Sequence, residues 1–338
     1  LSMIAPDLLA VITNPASTAA QRANAISLAI AYPTKVTLRP DGAAGEIKPK
    51  DGGEYGIKFE YFSPELNDTE FAIYYMNYHS RVPVISGIAS DFRVLDGEGN
   101  PAGLLQSLGY LAANQGQITA DNISNLAMFS KELVEYPEDI KLYGFSFNTT
   151  LGETSVAGEI AYRQDEPLQI DDVEILYAGM PEQLANAGLR PDLAGISQIG
   201  RDPRYGEKVQ PGQKANGFIL SDTLQAQMTF THLFGPTLGA DNFTMLAEVG
   251  GIRIQDMPDQ SVLRLNGPNT DRSGAPLLNG NGVEIPGLHT GLSNGAETNP
   301  FPTASAWGYR LLAKADYNNV FAGVNLSQRM VFSHDVNG

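Results

Sequence analysis

The chain has 338 residues, with 38 Asp or Glu against 22 Lys or Arg and a formal net charge of −16, which argues against a nucleic-acid binder. Cysteine is absent and His numbers only four, so disulfide frameworks, thiolate zinc sites and thiol nucleophiles are excluded and few ligands remain for a transition metal. With 35 Gly, 21 Pro and only 18% charged residues, turns and strands are favoured over long helices, and no stretch approaches the roughly 18 apolar residues of a membrane-spanning helix.

The N-terminus, Leu1-Ser2-Met3, lacks the basic and apolar regions of a signal peptide, so a leader has been removed or the chain begins within a longer protein. Residues 1–52 read as a loop region with one helical stretch, 18–30, opened by Thr18 as N-cap and carrying Ile26 and Ile30 at helical spacing. From residue 53 the pattern changes to two-residue alternation, which occurs in eight segments of about ten residues. The first pair, 53–78, sets Tyr55, Ile57, Phe59 and Tyr61 against Phe71, Ile73 and Tyr75, with the turn at 63–68.

Residues 79–139 form a long connection with helical spacing at 102–112 (Leu104, Leu105, Leu108, Leu111) and at Ile123, Leu126 and Phe129. The second hairpin, 140–163, presents Tyr143, Phe145 and Phe147 on one strand and Val156, Ile160 and Tyr162 on the other. Pairing Thr149 with Thr154 puts Phe145 opposite Gly158, an aromatic covering a cross-strand glycine.

After a connection at 164–222, the third hairpin, 223–254, pairs Leu224, Ala226, Met228 and Phe230 with Phe243, Met245, Ala247 and Val249 around a turn at 235–241. Gln225, Gln227, Thr229, Thr244 and Glu248 fall on its other face. A last connection, 255–305, leads to the fourth hairpin, 306–334. There Asn318-Asn319 forms the expected two-residue turn, pairing Tyr317 with Val320 and Leu311 with Leu326.

Short turns at one end and three connections of about fifty residues at the other are the asymmetry of an outer-membrane barrel, with short periplasmic turns and long extracellular loops. Ten or eleven residues at about 3.3 Å each, tilted near 45°, span roughly the 25 Å apolar band of such a barrel. Tyr55, Tyr61, Tyr75, Tyr143, Tyr162, Trp307, Tyr309 and Tyr317 lie toward strand ends on the apolar face, as interfacial girdles do. The expected fold is therefore all-β: one antiparallel up-and-down transmembrane β-barrel domain over 1–338, with long, partly helical extracellular loops. Because such barrels close with an even strand number and no free edge, the chain reads as an internal portion of a larger barrel, with strands missing at both ends.

Parity assigns the interior face. Its solute-contacting candidates are Lys58, Glu60, Tyr74, Glu159, Arg163, Glu248, Arg310, Lys314, Asp316 and Arg329, because charged wall residues tune ion and solute selectivity in a water-filled pore. Glu70 shares that face, while Met76 and Leu312 make it less uniformly polar than a general porin needs, which favours a hydrophobic or amphipathic solute. A Ser–His hydrolase is disfavoured: His79-Ser80 and Ser333-His334 are adjacent residues that point to opposite faces of a strand, and no G-x-S-x-G elbow occurs. The acidic runs Asp96-Gly97-Glu98 and Asp171-Asp172-Val173-Glu174 lack the full calcium-loop pattern and read as solvated loop charge. Gly-rich 278–283 reads as a turn.

Segments 61–86 (YFSPELNDTEFAIYYMNYHSRVPVIS), 135–174 (EYPEDIKLYGFSFNTTLGETSVAGEIAYRQDEPLQIDDVE) and 307–338 (WGYRLLAKADYNNVFAGVNLSQRMVFSHDVNG) resemble a Gram-negative outer-membrane family known as domain of unknown function 1302. The similarity extends more loosely from about Gly53 to the end. The resemblance implies a secreted precursor inserted in the outer membrane, with further strands before and after this portion, including a terminal aromatic strand that this chain lacks. It supplies no agreed catalytic or ligand-binding residues to carry over to this chain, and no cofactor is expected.

The sequence thus points to a channel passing a small hydrophobic or amphipathic molecule by passive diffusion, without enzymatic activity. The rival expectation is a surface structural or adhesion protein whose acidic loops bind a partner while the barrel anchors it. Expected partners are outer-membrane lipid and lipopolysaccharide, a small hydrophobic solute, and other envelope proteins or further copies of the chain, with no nucleic acid.

Overall fold

The structure is a computed structural model that describes residues 40–92, 126–188, 190–267 and 301–338, with isolated residues between 11 and 22 and between 109 and 119. In chain order the elements are β1 (Glu46–Ile47), β2 (Tyr55–Ser63), β3 (Thr69–Tyr78), β4 (Val84–Ile88), β5 (Lys131–Glu135), β6 (Ile140–Leu151) and β7 (Thr154–Gln169). Helices α1 (Asp172–Gly179) and α2 (Pro181–Asn186) follow, then β8 (Lys214–Ala215), β9 (Phe218–Thr237), β10 (Ala240–Ile254), β11 (Ser305–Phe321) and β12 (Val324–Asn337).

Eight of these strands form one antiparallel sheet in the order β2-β3-β6-β7-β9-β10-β11-β12. Every neighbour is the next long strand along the chain, as in an up-and-down meander. The edges β2 and β12 do not pair with each other, so among the described residues the sheet is open and forms no closed barrel.

The first hairpin forms as expected, and its register sets Ile57 opposite Tyr75, Phe59 opposite Ile73 and Tyr61 opposite Phe71. Its turn is a short 3-10 stretch closed by Asn67 and Asp68, both at positive φ. The second hairpin is corrected by two residues. Leu151 pairs with Thr154, which sets Phe145 opposite Ile160 and Phe147 opposite Gly158. Phe147, rather than Phe145, lies over that glycine, occupying the space a β-carbon would take. The tighter turn wins because Gly152 adopts φ 63°, a conformation without steric cost only for glycine.

In the third hairpin the strands run through most of the expected 235–241 turn and reverse at Leu238-Gly239, both at positive φ. Bulges near Ala240 and Phe243 absorb the odd residues. The fourth hairpin turns at Ala322-Gly323 (φ 45° and 82°) and not at Asn318-Asn319. Tyr317 pairs with Leu326 and Leu311 with Phe332, six residues from the expected register. Gly323 outcompetes the Asn pair for the turn, and Asn319, also at positive φ, sits in a register shift between Tyr317 and Phe321. Both corrections are even numbers of residues, so every side chain keeps its expected face.

Three long connections leave the sheet at the end opposite these turns. With the segment before β2 they are more ordered than expected: β1, β5, β4 and β8 build a second, four-stranded sheet in that order, with α1 and α2 beside it. Ala89, Ile170, Ile175, Ala178, Ile199, Val209, Ala215, Ile219, Leu263 and Leu265 form its buried core. Strands β4, β5 and β8 have five residues or fewer, too short for alternation to reveal them. In the N-terminal segment, Thr18 and Gln21 form a reciprocal capping box: the Thr18 hydroxyl accepts from the Gln21 amide (3.2 Å) and the Gln21 carbonyl from the Thr18 amide (2.9 Å). The remainder of helix 18–30, Leu104, Leu105, Leu108 and Leu111, Ile123, the Asp96–Glu98 run and the 278–283 turn lie outside the described residues. Leu126 and Phe129 belong to a turn.

A bulge in β7 between Arg163 and Glu166, with Asp165 at φ 61°, divides the two sheets. Beyond it β7 and β9 continue as a short ladder, Glu166–Gln169 against Phe218–Ser221. That is why alternation, and the hairpin boundaries read from it, stop at 163 and resume at 223. Gln169 then ties the bodies together: its Oε1 accepts from the Ile85 amide (2.7 Å), and its Nε2 donates to the carbonyls of Ile85 (2.9 Å) and Gly217 (2.7 Å). Gln169→Leu strands these groups and is expected to cost about 2 kcal/mol, read as accelerated hydrogen exchange at the Ile85 amide.

Candidate functional site

The two faces of the eight-stranded sheet differ in composition and in exposure. One face carries Ile57, Ile73, Phe145, Ile160, Leu224, Phe230, Val249, Leu311, Leu326, Met330 and Phe332, all open to solvent, with Ile57 at 54%, Ile160 at 50% and Phe332 at 53%. The other face holds the charged residues, yet its Ala72, Leu142, Ala161 and Thr223 are buried. The polar face is also the hollowed one, around Lys58, Glu70 and Glu159. That is the inverse of a soluble sheet, whose apolar face is covered.

A row of tyrosines marks the apolar face near the second sheet. Tyr55, Tyr75, Tyr143 and Tyr162 stand on β2, β3, β6 and β7 with successive ring centroids 5.9, 5.0 and 6.3 Å apart. Trp307 and Tyr309 stand toward the same end of β11, where Tyr309 meets His334 edge-on at 5.5 Å. Toward the short turns lie Tyr61, Tyr317 and a His232–Phe234–Phe243 cluster.

Beyond the tyrosine row comes a row of ion pairs. Lys141 meets Asp165 at 2.9 Å, Lys50 meets Asp139 at 2.7 Å and Glu138 at 2.9 Å, and Tyr162 donates to Asp222. The Lys50 ammonium holds both Glu138 and Asp139 below the usual carboxylate range. His79 closes this seam. Its Nδ1 accepts from the Asp139 amide (3.1 Å), so Nε2 carries the proton given to the Gly52 carbonyl at 2.9 Å. The Ser80 hydroxyl donates to the Val82 carbonyl at 2.6 Å.

On the polar face the register brings all ten sequence-predicted residues to one side of one sheet. A single row crosses seven strands: Glu70, Asn148, Ala157, Thr229, Glu248, Arg310 and Ser333. The next row carries Glu60 and Glu159, and the one after it Lys58 and Tyr74. Toward the second sheet Arg163 donates to Gln225 at 3.0 Å. Lys314, Asp316 and Arg329 sit near the turn of the last hairpin.

These residues fall into two groups. Lys58, Glu70 and Glu159 line a concavity of about 270 Å³ together with Ser146, Asn148, Gln227 and Thr229. Lys58 pairs with Glu60, and the Tyr74 ring lies across Gly144, which has no side chain to obstruct it. The second group spans β10 to β12, where Glu248 faces Arg310 and Lys314 faces Arg329.

The neutral donors and acceptors of the concavity were legible as the polar half of the alternation but carry no charge to single them out. Leu312, expected on this face, is joined there by Leu246 and Val331, which were not, in an apolar strip running Leu246 opposite Leu312 opposite Val331. Its sequence signal is a Leu or Val in a slot where alternation calls for a polar residue.

The Asp171–Glu174 run is not solvated charge. Asp171 and Glu174 are both fully buried. Glu174 pairs with Arg264 and accepts the Gln198 amide at 2.7 Å, while Arg264 lies 5.3 Å over Phe301. Burial, followed by the charge of Glu174, pushes the Asp171 carboxyl up to about 8. No group of metal-ligating side chains occurs among the described residues, and no helix there is long and apolar enough to cross a membrane.

The sequence model of one family, described as protein of unknown function (DUF1302), matches residues 13–338. No curated protein and no solved structure matches the chain.

Proposed function

The chain belongs to the family of proteins of unknown function DUF1302, and from that premise and the two faces of its long sheet we propose that it forms the wall of an outer-membrane β-barrel channel for a small amphipathic molecule. The observation that carries this reading is the exposed apolar face set against a hollowed polar face. In water such a face is a liability; in a bilayer it is the surface that meets lipid. The tyrosine row and the ion-paired row beyond it support the same reading, since aromatic rings favour the headgroup level and charges lie outside it.

Passage would be passive. The polar wall offers five cations (Lys58, Arg163, Arg310, Lys314, Arg329) and six anions (Glu60, Glu70, Glu159, Glu248, Asp316, Asp335), so most of the excess negative charge of the chain lies off this face. A nearly balanced wall binds polar groups weakly at several points, which permits both entry and release. The second sheet and its helices stand at one end of the wall and limit access from that side.

Single-channel recording of the full-length protein in a planar bilayer tests the reading. Steady ohmic steps are expected, with ion selectivity shifted by Lys58→Gln. Silence from verifiably inserted protein would overturn an open channel.

A further inference from the structure

We infer that the polar face of β10, β11 and β12 holds a binding site for an amphipathic monocarboxylate, whose charged end meets Arg329 and Lys314 and whose apolar body lies along Leu246, Leu312 and Val331. This inference deepens the channel reading and rests on it for its biological role.

Three cross-strand rows carry it. The central row is apolar, Leu246–Leu312–Val331. On one side lies Glu248–Arg310–Ser333, and on the other Thr244–Lys314–Arg329. Rows on one face are two residues, or about 7 Å, apart along a strand, so the strip and the Lys314–Arg329 row together match the length of a short acid.

The Lys314–Arg329 row is electrostatically incomplete. Like charges directly opposite one another across a ladder are destabilising. Asp316 offsets one of them: its Oδ2 takes the Lys314 ammonium at 2.8 Å and its Oδ1 accepts the Ser327 hydroxyl at 2.6 Å. Arg329 forms no ion pair or hydrogen bond with any described residue. A carboxylate placed beside it would accept two guanidinium N–H groups at once, the geometry for which arginine is suited. Elsewhere on the polar face Lys58 is taken by Glu60 and Arg163 by Gln225, while Arg310, on the other side of the strip, stands directly opposite Glu248 on the neighbouring strand.

The test measures binding of hexanoate, hexanol and acetate by calorimetry to the full-length protein in lipid nanodiscs, with empty nanodiscs subtracted. Hexanoate is expected to bind more tightly than either probe that lacks one half of it. Arg329→Gln should weaken hexanoate by about tenfold and leave hexanol unchanged, and Arg329→Lys should restore part of the preference. Leu312→Ser should weaken hexanoate and hexanol together while leaving acetate as it was. Equal hexanoate affinity in wild type and Arg329→Gln, or no wild-type preference for hexanoate over hexanol, overturns the site. If Arg329→Gln does not assemble, Lys314→Gln and Leu312→Ser give the same decision. Efflux of a neutral sugar from vesicles, run on the same preparations, tests the channel separately: no efflux with the hexanoate preference intact overturns the channel and not the site.

Discussion

Leu311→Lys is expected to cost about 2–4 kcal/mol of assembled stability, whereas its neighbour Leu312→Lys should cost much less and chiefly alter solute preference. Leu311 stands in mid-β11 on the apolar face, between Ala247 and Phe332. On the proposed channel reading, a charge there must sit in hydrocarbon or drag water and headgroups toward the centre of the bilayer. Leu312 stands one residue on, facing the polar side between Leu246 and Val331, where an ammonium remains hydrated. Denaturant titration of each variant refolded into lipid vesicles measures the difference. Equal tolerance of the two substitutions would refute the assignment of faces to lipid and interior. The contrast is sharp because the residues are adjacent, so propensity and position along the strand cancel and only the face differs.

Arg264→Met is expected to destabilise the second sheet and its helices by about 3–5 kcal/mol, because it leaves the buried Glu174 charge without its partner. Adding Glu174→Gln should recover most of that loss, since the buried charge goes with the partner that compensated it. Protection of the α1 amides from hydrogen exchange reports both. The same cluster predicts a pH dependence.

Asp171 titrates at about 8 in the folded state, its burial being the largest cause and the Glu174 charge the next, with Asp172 adding repulsion and Arg264 opposing it. Unfolded, the group would ionise near 4. Between those values the folded state binds the proton and the unfolded state does not, so stability falls as pH rises from about 4 to about 8, at up to about 1.4 kcal/mol per pH unit. Asp171→Asn keeps an N-cap acceptor for the Val173 amide and removes the titration. Its advantage over wild type should therefore grow through that window and level off above it. Protection factors that fall in parallel for both proteins would rule out Asp171 as the source.

Much of the wall was legible because the alternation of β2, β3, β6, β7, β9, β10, β11 and β12 is local: each residue's face follows from its parity within its own strand. The candidate residues share a face for that reason, and they kept it when two hairpin registers moved. The registers themselves were less legible. Thr149 against Thr154, and Tyr317 against Val320, satisfied the apolar match as well as the observed pairings did, since any even shift does. Which even shift prevails depends on where positive φ is cheapest, at Gly152 in one hairpin and at Ala322-Gly323 in the other.

The buried carboxylates show the opposite limit. Nothing local distinguishes Asp171 and Glu174 from solvated loop charge. Arg264, which neutralises one of them, lies 90 residues from Glu174, and only the folding of two separate connections brings them together. The amino-acid sequence by itself thus determined the two faces of the long sheet, their aromatic margins and the chemistry of the candidate wall, because alternation needs no partner to be read. Tertiary structure alone decided the turn positions, the second sheet and the burial of its acids, because those depend on pairings between distant segments whose free energies no single segment carries.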